Sequence, residues 1–125
     1  MKTLYLSSIS SILLSLSCWS QAAPPNPTSK HEITHLLTYV EQSGCQLNRN
    51  GSWYTSQEAT AHLNKKYQYL LDKDLISTTE SFIAKAATES SMSGKAYLVK
   101  CQANAPIESA SWLKTELLRY RQASH

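Results

Sequence analysis

The chain has 125 residues, a formal net charge of +3 and 42% apolar residues. This is enough for one domain with a modest core, and the composition is that of a globular chain, not a disordered one. The charge is too mild and too evenly spread for a nucleic-acid-binding surface, and neither internal repeats nor coiled-coil heptads occur.

Met1 to Ala22 reads as a secretory signal. Lys2 precedes an apolar run from Leu4 to Leu16, and the small residues Ser20 and Ala22 suit a cut between Ala22 and Ala23. The run is short and interrupted by serines, so it matches a membrane span of roughly 20 apolar residues poorly, and no stable span is expected after cleavage. Cys18 raises the alternative of an acylated lipoprotein, but Ser15 stands where a lipobox carries an apolar residue. Cleavage leaves roughly 100 residues. It removes Lys2, taking the charge from +3 to +2, and leaves two of three cysteines, Cys45 and Cys101. In an oxidising compartment that pair reads as a disulfide, with free thiols or a metal site as alternatives.

Residues 23–28, with Pro24, Pro25 and Pro27, form a stiff, exposed lead-in to a single domain over 29–122. Ser29 and Glu32 have the spacing of a capping box, followed by Ile33, Leu36, Leu37 and Val40 at helical intervals, with Gly44 as the stop. Asn50-Gly51 predicts a two-residue hairpin turn, because both central positions of a type I′ turn need positive φ. That turn sets Arg49 opposite Ser52, Asn48 opposite Trp53 and Leu47 opposite Tyr54. Thr55 and Glu58 make a second capping box, opening a helix with Ala59, Leu63, Tyr67, Leu70 and Leu71 inward. Ser77 and Glu80 make a third, before Phe82, Ile83, Ala86 and Ala87. Ser90 to Gly94 break the pattern, Ala96 to Cys101 reads as a strand, and Asn104 to Glu108 is a loop around Pro106. A last helix from about Ala110 to Gln122 buries Trp112, Leu113, Leu117 and Tyr120. If Cys45 and Cys101 join, the first and third strands are antiparallel neighbours. The fold class is α+β: a small three-stranded antiparallel sheet packed with about four helices and one disulfide. Alternation puts Cys45, Leu47, Tyr54, Tyr97, Val99 and Cys101 on the core face. Gln46, Asn48, Trp53, Leu98 and Lys100 fall on the other.

Four motifs bear on chemistry. His31-Glu32-Ile33-Thr34-His35 spells H-E-x-x-H, in which two histidines one turn apart bind zinc beside a glutamate base. Here both histidines point away from the apolar stripe, towards solvent, and a third ligand among Glu58, His62 and Glu89 sits in no second motif. Ser93-Gly94-Lys95 resembles the end of a phosphate-binding loop, but Glu89 occupies the place of its first glycine and the strand follows instead of preceding. No serine sits in a nucleophile elbow. Glu116, between Trp112 and Tyr120, is either one of a pair of glycosidase-type carboxylates or, the plainer reading, a partner of Arg119 or Tyr120. The hairpin tip and the second sheet face offer a binding surface of Arg49, Asn50, Trp53, Lys95 and Lys100, unless a helix covers Trp53.

Several segments together resemble the YfeK-like secreted bacterial proteins, a family of unknown function. They are Cys45 to Tyr54 (CQLNRNGSWY), Glu58-Ala59 to His62-Leu63, Thr79 to Ile83, and Ser93 to Lys100 (SGKAYLVK). Arg49-Asn50-Gly51 and Ser93-Gly94-Lys95-x-Tyr97 are the most specific of these. The resemblance rests on Ile33, Leu36 and Leu37 in the first helix, not on the histidines. It implies a small periplasmic protein of a Gram-negative bacterium, with no established activity, cofactor or catalytic residue. The expectation is a non-enzymatic binding or inhibitor-type module, without cofactor or nucleic acid, whose partner is a periplasmic protein or a glycan. A zinc-dependent hydrolase on His31, Glu32 and His35 and a structural or stress-associated envelope protein are the alternatives.

Overall fold

The computed structural model describes residues 23–124. The secretory segment, its Ala22 cut and Cys18 lie outside the described residues. Within them the chain forms four helices and a four-stranded antiparallel sheet. No helix among them is long and apolar enough to cross a membrane.

Helix α1 (Pro27–Gln42) begins two residues before Ser29. The cap is Asn26, whose Oδ1 accepts from the Ser29 amide at 2.8 Å. Pro27 suits the first helical position, where no amide donor is needed. The lead-in is therefore shorter than expected, and Pro25 within it is buried, not exposed. Glu32, freed from any capping role, turns into the protein and is only 6% exposed. Its carboxylate accepts from Thr79 Oγ1 at 2.6 Å and, in bidentate fashion, from Arg121 at 2.6 and 3.0 Å.

Strands β1 (Gln46–Arg49) and β2 (Ser52–Tyr54) pair in the register that the Asn-Gly turn predicts, Leu47 with Tyr54, Asn48 with Trp53 and Arg49 with Ser52. Asn50 and Gly51 both have positive φ, 53° and 85°. Helix α2 (Ser56–Asp72) opens on the Thr55–Glu58 box as expected. Helix α3 (Thr79–Ala86) is capped one residue later than expected, by Thr78 with Ser81 at the third helical position. Ser77, Thr78 and Thr79 all carry a capping hydroxyl, and it is Thr79 whose hydroxyl is taken by Glu32.

Strand β3 (Leu98–Lys100) runs antiparallel to β1. The pairing of Gln46 with Lys100 brings the adjacent Cys45 and Cys101 face to face, and they form the disulfide with Cα atoms 4.3 Å apart. A fourth strand, β4 (Ile107–Glu108), lies in the stretch that reads as a loop and pairs with β3, so the order is β2-β1-β3-β4. It escapes sequence inspection because two residues after a proline show no alternation. It leads directly into α4 (Ser109–Ala123).

The helices pack on one sheet face around Ile33, Leu36, Leu63, Phe82, Ile83, Val99 and Leu113, all essentially inaccessible to solvent. Burying side chains of this size stabilises by roughly 1.5–3 kcal/mol each. Ile76, between α2 and α3, joins this core from a segment with no helical period. On the opposite sheet face Gln46, Trp53, Lys100 and Glu108 are exposed, and Trp53 is 40% accessible.

Candidate functional site: a cationic cleft beside the hairpin

The parity that turns Leu47 inward also turns Arg49 to that side of β1, the side that packs against α2. On α2, His62, Lys65, Lys66 and Tyr69 follow one another at helical spacing, on a flank beside the buried stripe of Ala59, Leu63 and Tyr67. Two adjoining cavities lie between these elements and the segment 88–97. One, about 330 Å³, is walled largely by Leu47, Ala59, Leu63 and the rings of Tyr54 and Tyr97. The other, about 550 Å³, is lined by Lys65, Lys66, Lys85, Tyr69 and Ser90 to Met92. Arg49, Tyr54, His62 and Tyr97 border both. Both volumes fall within the roughly 300–1,000 Å³ of small-molecule sites.

A chain of hydrogen bonds crosses this shared border. Arg49 Nη1 lies 2.8 Å from His62 Nδ1 and 3.2 Å from Nε2, and Nη2 donates to the Tyr54 hydroxyl at 3.3 Å. His62 Nε2 is 3.1 Å from the Tyr97 hydroxyl, as is Lys66 Nζ, which also donates to the Glu89 carbonyl at 3.0 Å. Arg49 further sits over the Tyr54 ring, and Lys66 over that of Tyr97. Burial depresses the His62 pKa, and the nearby charges of Arg49, Lys66 and Lys65 depress it further, to about 4. The ring is therefore neutral at physiological pH. With Nδ1 accepting from Arg49, the proton belongs on Nε2, which donates to Tyr97. The Tyr97 oxygen then receives from both His62 and Lys66, so its own hydrogen is left to donate. Burial likewise lowers the Lys66 pKa, with Arg49 adding to that effect and Glu89 opposing it, and burial raises that of Tyr97.

The balance of charge is the distinctive feature. Glu32 is held by Arg121, which also bridges to Glu80, and Glu116 is held by Arg119 and by His35 at 2.8 Å. Around the cleft the reverse holds. Among the described residues, Arg49, Lys65, Lys66 and Lys85 form no ion pair. Their partners are neutral: an imidazole, two phenols and backbone carbonyls, one of them Leu75 O bound by Lys85. Glu58 reaches the wall of the apolar cavity, but its carboxylate accepts from the Thr55 amide in the α2 cap.

The hairpin turn is fastened to the cleft's rim. Asn50 donates from Nδ2 to Ser90 Oγ at 3.1 Å and accepts at Oδ1 from the Ser93 hydroxyl. Ser90 Oγ also accepts from the Met92 amide, and Ser93 Oγ from that of Lys95. Arg49-Asn50-Gly51 and Ser93-Gly94-Lys95-x-Tyr97, far apart in sequence, thus meet here.

The expected surface of Arg49, Asn50, Trp53, Lys95 and Lys100 does not come together as one patch. Arg49 lines the cleft and Asn50 its rim, while Trp53 and Lys100 belong to the opposite, open sheet face and Lys95 to the exposed segment leading into β3. The reason is alternation, because Trp53 and Lys100 pair with Asn48 and Gln46, whose side chains point to the face opposite that of Arg49. Lys66 is the cleft residue that sequence inspection passes over, and His62 and Tyr97 are met there only as a possible metal ligand and a core-face residue, although the helical spacing of His62, Lys65, Lys66 and Tyr69 is visible.

The H-E-x-x-H residues also part company. His31 is exposed, but His35 is turned against α4, stacked on Tyr120 at a centroid distance of 3.9 Å, not towards solvent as expected. Its Nε2 is bound to Glu116, and the Glu32 carboxylate is neutralised by Arg121, which is unsuited to a general base. Glu116 takes the plainer of its two readings, an Arg119 pair. Among the described residues no three His, Cys, Asp or Glu side chains are grouped closely enough to hold a metal ion.

Comparison with family models matches residues 27–121 to a family of unknown function (DUF5329). A family of unknown function is what the sequence implied, though the YfeK-like label itself finds no support in the match. No curated protein and no solved structure matches the chain.

Proposed function

The chain belongs to the DUF5329 family, which brings no activity with it, and we propose from its cleft that it is an exported, non-enzymatic binding module for an anionic ligand. One observation carries this reading. Arg49 and Lys66 are half-buried, line one cavity and have only neutral hydrogen-bond partners, in a protein that gives its buried carboxylates an arginine elsewhere. Withdrawing a cation from water without an opposite charge destabilises the fold, and a bound anion offsets that. Binding is favoured over catalysis because both ring nitrogens of His62 are engaged, by Arg49 and Tyr97. The disulfide supports export to an oxidising compartment such as the periplasm.

Thermal unfolding in phosphate and in chloride at equal ionic strength tests the proposal. Phosphate should raise the midpoint of the wild type by about 5 °C more than that of Arg49→Gln or Lys66→Gln. The variants share any general salting effect of phosphate. An equal rise in all three proteins contradicts the anion site.

A further inference from the structure

We infer that the ligand is an amphiphilic acid, with a single anionic head seated at Arg49 and Lys66 and an apolar body seated among Leu47, Ala59 and Leu63. This rests on the anion reading above and adds the second half of the molecule. The two cavities are not separate sites. Arg49, Tyr54, His62 and Tyr97 border both, so a ligand that occupies one touches residues that also line the other. Their chemistries differ sharply. The 550 Å³ side carries Lys65, Lys66 and Lys85, whereas the 330 Å³ side is walled largely by aliphatic side chains and ring faces, with Asn48 and the Glu58 carboxylate, held in the α2 cap, also on its wall. An inorganic anion would satisfy Lys66 and leave the apolar walls wet. A neutral apolar molecule would cover the walls and leave the cations unpaired. Only a compound with both characters answers both surfaces, and the aromatic rings between them suit the junction, with apolar faces and hydroxyl edges. Near the outer mouth Met92 is 95% exposed and Tyr69 61% exposed, which extends apolar surface beyond the charged zone. Met92 is unbranched and adaptable, as suits a body of variable shape.

Calorimetric titration of the full exported protein with octanoate, acetate, octanol and octylammonium tests this. Octanoate should bind at least about tenfold more tightly than acetate or octanol, and octylammonium should not bind. Within a series of straight-chain carboxylates on the unmodified protein, affinity should climb with each added methylene until the apolar side is full. Ala59→Leu, which fills that side, should reduce octanoate to about the affinity of acetate. Lys66→Gln should weaken both acids. If acetate and octanoate bind equally and both are lost in Lys66→Gln, the anion site stands and the apolar half is wrong. If octanol matches octanoate and Lys66→Gln changes nothing, the anion reading itself fails and takes this proposal with it. Binding only to vesicles of anionic phospholipid, with no uptake of free octanoate, also overturns it.

Discussion

His62 shows how a single side chain is set by its surroundings. Its folded pKa of about 4 lies below the ordinary 6.5 because burial and three nearby cations disfavour the imidazolium. The unfolded chain therefore binds the extra proton first. Stability due to this residue is fully present above pH 6.5 and is lost as pH falls towards 4. Glu32, Glu80 and Glu116 act in the same direction at lower pH. Hydrogen bonds from Arg121 to the first two and from Arg119 to the third hold their pKa values below the usual carboxylate range, so their stabilisation disappears only in stronger acid. Urea unfolding across this range should show His62→Gln losing about 1 kcal/mol less than the wild type between pH 6.5 and 4, a figure discounted for solvent screening. Parallel pH profiles would show that His62 is not the group responsible. Little of this environment was legible in the sequence. Glu32 meets Arg121 across 89 positions and His62 meets Tyr97 across 35, and no local period encodes such pairings.

At the scale of elements, legibility followed locality. The hairpin register was readable because Asn50 and Gly51 alone impose the turn, and every pairing up to Leu47 and Tyr54 follows from it. The α2 start was readable because Thr55 and Glu58 satisfy each other's backbone within one turn. The starts of α1 and α3 differ from the expected ones where several capping residues lie close together, so that tertiary demands choose among them, as Glu32 does by taking Thr79. Strand β4 exists because β3 offers an edge, which no feature of Ile107 and Glu108 announces. The contact between the hairpin turn and residues 90–95 belongs to this scale too. Asn50→Gly keeps the positive φ of the turn but removes both side-chain bonds to Ser90 and Ser93. Hydrogen exchange should accelerate at residues 90–95, remain unchanged over 45–54, and accompany a stability loss of roughly 1–2 kcal/mol. Unchanged exchange at 90–95 would mean that the turn does not hold the rim.

The whole molecule divides into a seam and a cleft. On one side α1, α3 and α4 are stitched together by Glu32, Thr79, Glu80, Arg121 and Glu116, so that buried charge is matched. The disulfide closes a loop of 56 residues between β1 and β3 and contributes about 4 kcal/mol by restricting the unfolded chain. It fixes the two strands from which Arg49 and the approach to Tyr97 extend. On the other side the hairpin, α2 and the 88–97 segment enclose cations that form no ion pair among the described residues, with Glu89 acting on Lys66 only through space. Half-buried cations without an ion pair cost stability, which is what the proposed ligand would offset. In the proposed site, ligand enters on the Arg49 side of the sheet and not on the Trp53 side. The direct measurement is a titration of isotope-labelled protein with octanoate, followed by amide and side-chain chemical shifts. Saturating changes are expected at Arg49, His62, Lys66 and Tyr97, with the Trp53 indole and Lys100 unmoved. Saturating changes centred on Trp53 and Lys100, or none at Lys66, would contradict it.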